Sequence, residues 1–301
     1  MKDQGILGGL HPFAKLLLLI LTMLASTLVI VTLGMLLAMP FLGTEVLNMR
    51  EGFEAVNINF LKYAQLLSHL GLFVAASLIF AFLVGRNPMT YLQGRKAPMF
   101  SGLIISVLIM LAALPMVNYV MELNQQFSLP ESLGRLEEWM RQSEDAAEEM
   151  TERFLDVSSW QGLVFNIFLI AVVPAVGEEF IFRGALQRIL RQWFGNVHIA
   201  VIVAAILFSA MHLQFYGFLP RLLLGLVLGY MFIITGNIWV PVVAHFFNNA
   251  AAVLMHFMVH NNIIDYQVED VGTGSMAPVM SIISLLAVLL LFRMLYMRVT
   301  R

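Results

Sequence analysis

QGLVFNIFLIAVVPAVGEEFIFRGALQRIL, residues 161–190, decides how this chain must be read. From Gln161 to Gly177 it carries no charge. About 20 mostly apolar residues cross roughly 30 Å of hydrocarbon, so the stretch reads as a membrane span. Without leaving the apolar run it then places Glu178, Glu179 and Arg183 among Phe, Ile, Gly, Ala and Leu. Ionisable groups inside a span are costly and are functional candidates by default, with a helix-packing pair as the competing explanation.

The rest of the chain shares this apolar character. Of 301 residues, 60% are hydrophobic and 12% charged, against about 25% charged in an ordinary soluble domain. Seven further runs fit spans: Pro12–Leu42, Phe60–Val84, Pro98–Met121, Val197–Leu213, Gly217–Ile234, Ile238–Val259 and Met276–Tyr296. The first is too long for the apolar region of a signal peptide and is read as an uncleaved span. The fold expected is therefore all-α: a polytopic membrane bundle of about eight transmembrane helices. A net charge of −2 without a basic block excludes general nucleic-acid binding. The absence of cysteine removes disulfides, thiolate metal sites and cysteine nucleophiles together.

Loop charges set the expected orientation. Lys2, Lys15, Arg86, Arg95, Lys96, Arg188, Arg191, Arg293, Arg298 and Arg301 gather on one side of such a bundle, joined by a single acid, Asp3. The other side receives the acidic stretch Glu122–Asp156 with Asp265, Glu269 and Asp270. This is the positive-inside pattern, and it places both termini in the cytoplasm, as in a bacterial-type inner membrane. Within the acidic stretch, Glu131–Asp156 has Leu133, Leu136, Met140 and Met150 on a weak apolar stripe, the pattern of a solvated surface helix.

Polar residues recur in three spans at comparable depth. At about 1.5 Å per residue, Glu178 lies roughly 15–20 Å from the cytoplasmic end of its helix, His212 roughly 20 Å from Val197, and His245 and Asn249 roughly 10–17 Å from Ile238. Two acids, two imidazoles and a carboxamide are thus able to share one pocket, more open to the cytoplasm. Glu179 and Arg183 stand at i and i+4 in the favourable order for a helical pair. Glu178, about 100° round the helix, is the freer carboxylate and the better general base. His245 and Asn249 also stand at i and i+4 and share a face. A polar network that glues helices is the alternative reading, but two adjacent acids deep in a bilayer make a poor adhesive.

Taken in order, EExxxR (Glu178, Glu179, Arg183), FxxxH (Phe208, His212) and HxxxN (His245, Asn249) resemble the CPBP family of intramembrane proteases. That family includes CAAX-processing endopeptidases and proteins linked to bacteriocin self-immunity. The resemblance covers about Gln161–Met258. It implies a catalytic transmembrane core (161–301), while the spans and loop charges set off an N-terminal set of transmembrane helices (1–121) and an acidic extracytoplasmic helical segment (122–160). It also implies an intramembrane endopeptidase that hydrolyses a peptide bond in a membrane-associated, hydrophobic or lipidated peptide, using a water activated by Glu178. His212 would orient that water, His245 and Asn249 would supply donors to the oxyanion, and Glu179 with Arg183 would hold the first carboxylate in place.

The family is often labelled metalloprotease, and His212, His245 and Glu178 are a possible ligand set for zinc or another divalent ion. No HExxH occurs, and a metal-free glutamate–water scheme is equally compatible with these residues. Two other functions use the same fold: a proton- or ion-coupled transporter with the Glu/His cluster as relay, and a non-catalytic bacteriocin-immunity protein. Membrane lipid is the expected surrounding partner, and the oligomeric state is left open. His256 is expected to be a packing or interfacial histidine, and His11, His69, His198 and His260 to be incidental. Gly225 and Gly229 form a G-x-x-x-G expected to allow close helix approach within the bundle.

Overall fold

The computed structural model describes residues 5–42, 57–265 and 271–300. Of the residues in the charge pattern, Lys2, Asp3, Glu269, Asp270 and Arg301 lie outside this range. Every regular element among the described residues is helical. In chain order the main helices are α1 (Pro12–Leu42), α2 (Ile58–Gly85), α3 (Phe100–Gln125), α4 (Gly134–Leu155), α5 (Trp160–Phe194), α6 (Val197–Ala210), α7 (Phe218–Thr235), α8 (Trp239–His260) and α9 (Ala277–Val299).

Seven of these, all but α4 and α6, are long and apolar enough to cross a membrane, so this is a multi-pass membrane protein. The fifth expected span is present as the shorter helix α6, of 14 residues. Local chemistry fixes its ends. Gly195 caps α5 in the left-handed region at φ 65°, and the Asn196 side chain accepts from the backbone N–H groups of His198 and Ile199 at the start of α6. Beyond Ala210 the chain turns, with Leu213 at φ 53°. The acidic stretch forms α4 after one 3₁₀ turn, Glu131–Leu133, and apart from the buried Phe154 its residues are exposed or half-buried.

α5 is the centre of the bundle. Val173–Ala175, Gly177–Glu179 and all of Phe180–Leu186 are buried, whereas α1 and α9 present Leu28, Leu37, Ile283 and Leu290 outward. One apolar cluster joins α1, α2, α5 and α6 through Leu19, Phe80, Ile181, Ile189 and Ala204. A second joins α3, α7, α8 and α9 through Ile109, Leu228, Val240 and Leu295. At about 25 cal/mol per Å² such burial would stabilise a soluble core. In lipid, close van der Waals packing and internal hydrogen bonds must take over that role.

Glycine provides the close approach. A Cβ on Gly225 would meet Ala205 Cβ at 3.0 Å, and one on Gly229 would meet Val201 Cγ1 at 2.9 Å, so α6 lies directly on the G-x-x-x-G face of α7. The same bare stretch exposes its carbonyls to α5: Gly225 O accepts from Arg183 at 3.1 Å and Gly229 O accepts from Gln187 at 3.3 Å.

Three π-helical segments interrupt the long spans: Leu70–Ala75 in α2, and Ile167–Val172 and Phe180–Leu186 in α5. The i→i+5 ladder widens a turn and re-aims the side chains around it, and such segments are frequent at functional sites. Here Glu178 and Glu179 end the short α-helical piece between the two π segments of α5.

Candidate active site

The adjacent acids of α5 have divided partners. Glu179 Oε1 accepts from Arg183 Nη1 at 2.8 Å and pairs with His245 Nδ1 at 2.9 Å, all three groups being buried. Among the described residues Glu179 Oε2 is buried without a hydrogen-bond partner. Glu179 therefore holds the imidazole of α8 as well as Arg183. Because a carboxylate can only accept, His245 Nδ1 carries the hydrogen, and its Nε2 is left toward Glu178, 3.9 Å from Oε2.

Glu178 is 6% exposed and has a second histidine beside it, His69 of α2, with Nε2 at 3.8 Å from Oε1. This corrects the reading of His69 as incidental. His69 ends the α-helical stretch Ile58–His69, immediately before the π segment of α2, in the middle of that span. Gly177 makes the contact possible, since a Cβ there would lie 2.7 Å from Phe73 Cβ. Mid-span depth was the signal in the sequence that marked His69.

A cavity of about 170 Å³ opens against this cluster. Glu178, Phe208, His212, Arg221, His245, Asn248 and Asn249 line it, with Met110, Leu224 and Leu228 as its apolar wall. The structure thus brings the three motifs to one cavity. His212 stands just past the end of α6, where its Nδ1 donates to the Phe208 carbonyl at 2.9 Å, so in the neutral ring Nε2 is an acceptor. The Phe208 ring is the common floor: Arg183 Cζ lies 4.7 Å from its centroid, and the rings of His212 and His245 lie at 5.2 and 6.0 Å. Asn249 donates to Ile170 O at 3.2 Å, in the first π segment of α5, while Asn248 donates to Asn249 Oδ1 at 3.3 Å. Arg221, which no motif marked, joins the lining from the first turn of α7, with Nη2 donating to Gln214 Oε1 at 2.6 Å.

Among the described residues, only Asp156, His256 and His260 bring three possible ligand atoms within 4.8 Å of one another. Glu178, His212 and His245 line one cavity but do not converge in that way, so as arranged they do not fit a three-ligand metal site. His256 and His260 both meet Asp156 at the end of α4, so His260 is not the incidental residue expected. His11 and His198 have local roles, accepting from Phe13 N at 3.2 Å and pairing with Tyr230 Oη at 3.0 Å.

Residues 160–251 match the family described as type II CAAX prenyl endopeptidase Rce1-like. The resemblance read from EExxxR, FxxxH and HxxxN is thereby shown for the segment that carries all three, while His69 lies outside it. From Bacillus subtilis (strain 168), "Uncharacterized protein YpbD" is 32% identical over 89 residues, 28% of this chain and 42% of that one. "Putative membrane peptidase YdiL" of the same strain is 27% identical over 119 residues, 40% of this chain and 48% of that one. The chain thus spans less than half the length of these two relatives. No solved structure matches it.

Proposed function

We propose that this chain is an intramembrane endopeptidase of CAAX-protease type, cleaving a membrane-associated, hydrophobic or lipidated peptide from the cytoplasmic side with a water activated by Glu178. The observation that carries this reading is a buried carboxylate on a cavity wall, flanked by two imidazoles at 3.8 and 3.9 Å, while its neighbour Glu179 takes up the one buried guanidinium beside it. A general base must be free to accept a proton, and that division of labour leaves Glu178 free.

In this scheme a water lies between Glu178 and the scissile carbonyl. Its oxygen bonds to the carbonyl carbon as its proton passes to Glu178, and the carbonyl oxygen gains the negative charge. The C–N bond then breaks as Glu178 returns the proton to the leaving nitrogen. Nε2 of neutral His212 accepts a hydrogen bond that orients the water. Asn248 and Asn249 supply carboxamide donors to the oxyanion and Arg221 adds positive field from the same wall, the class of contribution in which one donor is worth about 3–4 kcal/mol. His245, fixed through Nδ1 by Glu179, presents Nε2 to Glu178 and, when protonated, adds a further donor.

The three-part division at residues 121 and 160 and the cytoplasmic placement of both termini belong to the same proposal. They are supported by the loop charges and by the position of α4 at the opposite end of α8 from the segment holding Gly94 and Lys96, which bonds Trp239 and Asn237. The test is cleavage of a hydrophobic peptide by purified protein in proteoliposomes. Glu178→Ala and His245→Ala should each lower the rate by about 10²–10⁴-fold while the protein stays folded. Undiminished cleavage by both variants would overturn the reading.

A further inference from the structure

About three helical turns beyond His245, the same helix α8 carries a second constellation that the chemistry at Glu178 does not use. His256 and His260 stand at i and i+4, with ring centroids 6.1 Å apart and planes within 14° of parallel. Asp156, the residue that caps the C-terminal end of α4, faces both. Its Oδ1 lies 3.4 Å from His256 Nε2 and 3.2 Å from His260 Nδ1.

We propose that Asp156, His256 and His260 form a binding site for a divalent transition-metal ion of the zinc class, clamping the end of α4 to the end of α8.

Three observations carry this. The first is spacing. Zinc holds imidazole nitrogen and carboxylate oxygen at 2.0–2.2 Å in tetrahedral geometry, which places neighbouring donor atoms about 3.3–3.5 Å apart. The two separations from Asp156 Oδ1 are already close to those edges, and all three ligand atoms fall within 4.8 Å of one another. The second is convergence. Both imidazoles are aimed at the same carboxylate oxygen, and a cation gives all three atoms a common partner. Two histidines at i and i+4 on one helical face are the arrangement by which helices present a pair of imidazoles to zinc. The third is pre-organisation with access. The backbone on both sides of Asp156 is tied down, with Phe154 O accepting from Asn166 at 2.7 Å and Val157 O accepting from Asn261 at 3.2 Å. The side chains themselves stay accessible, at 54% for Asp156, 31% for His256 and 35% for His260, leaving the remaining coordination positions to water.

The placement gives the ion a structural role. α4 meets the rest of the chain through Phe154 and through Glu144 and Arg141 at Tyr216, and α8 is the helix that delivers His245 and Asn249 to the cavity. An ion here also makes metal content and catalytic metal separate matters: zinc in the purified protein would belong to the outer end of α8.

The experiment is titration of full-length protein in detergent with Zn²⁺ by calorimetry, and with Co²⁺ by its visible absorption. Wild type should take up one ion per chain. His256→Ala, His260→Ala and Asp156→Asn should each weaken binding at least about tenfold, while Glu178→Gln binds as wild type. Because all three side chains are at least partly accessible, equal thermal unfolding of the ion-free proteins will show that the loss is local. Failure of wild type to bind Zn²⁺, or unchanged binding by the His256→Ala/His260→Ala double variant, overturns the proposal.

Discussion

α8 carries two histidine clusters that differ in almost everything except residue type. The inner one, His245 with Glu178 and Glu179, is buried, and its ring lies between the two carboxylates, Nδ1 toward Glu179 and Nε2 toward Glu178. The outer one, His256 and His260 with Asp156, is open to solvent, and its groups point at a single atom. Burial makes the difference. Where water is excluded, an unpaired charge is so costly that every ionisable group needs a defined neighbour, and Glu178, whose nearest partners are imidazoles and not the guanidinium of Arg183, is poised to exchange a proton. Where water has access, three donors can wait for an ion at little cost.

The largest effect should come from breaking the inner pairing. Glu179→Ala strands the Arg183 guanidinium and frees His245, and loss of one partner of a buried ion pair costs about 3–5 kcal/mol. Thermal unfolding in detergent should show a marked drop, with cleavage abolished; an unchanged transition would mean that Arg183 finds another partner. The equivalent change outside, Asp156→Ala, should leave ion-free stability almost unaltered.

A smaller loss is expected when the fit between α2 and α5 is spoiled. Gly177→Ala puts a methyl group against Phe73 Cβ, 2.7 Å from the position the new atom would take. Overpacking of this kind costs about 1–3 kcal/mol, and it should pull His69 away from Glu178, so that cleavage falls further than stability does. His69→Ala separates the two consequences. It should reduce cleavage roughly ten- to a hundredfold, as loss of a supporting residue does, without a comparable change in unfolding. Full activity in His69→Ala would return that residue to a packing role.

The smallest effect belongs to α4 at its far end. Hydrogen bonds from Arg141 and from the Leu129 backbone hold the Glu137 carboxyl below its usual range. A depressed folded-state value means that its contribution is complete above the ordinary carboxylate range and is lost as pH falls through the lowered one. Hydrogen exchange at the start of α4 should therefore rise only on acidification below that range, and Glu137→Gln should remove the pH dependence while leaving cleavage unchanged.

Much of this was legible in the sequence. Bilayer thickness constrains span length so tightly that eight apolar runs became seven long helices and the shorter α6, with ends displaced by only a few residues. The depth argument brought Glu178, His212, His245 and Asn249 to one cavity because rise per residue is nearly constant along a helix. What stayed hidden depends on rotation and on contacts between helices. The π segments carry no sequence signature of their own, yet they flank the two acids. His69 sits on a span with no motif, and only its mid-span position marked it. Arg221 was visible as a charge at the start of a span, but its access to the cavity depends on how α7 lies against α3 and α8. The partner of Glu179 could not be read from i,i+4 spacing, which foresees Arg183 and says nothing of an imidazole arriving from α8. The outer cluster was missed for a related reason: His256 and His260 gain their meaning from Asp156, far away in sequence.

The most direct measurement is peptide cleavage and zinc content determined side by side on the same preparations of wild type, Glu178→Gln and the His256→Ala/His260→Ala double variant. Glu178→Gln should lose cleavage and keep its zinc, and the double variant should lose zinc and still cleave. Cleavage that survives in Glu178→Gln, or disappears with the zinc in the double variant, would contradict the separation of the two clusters.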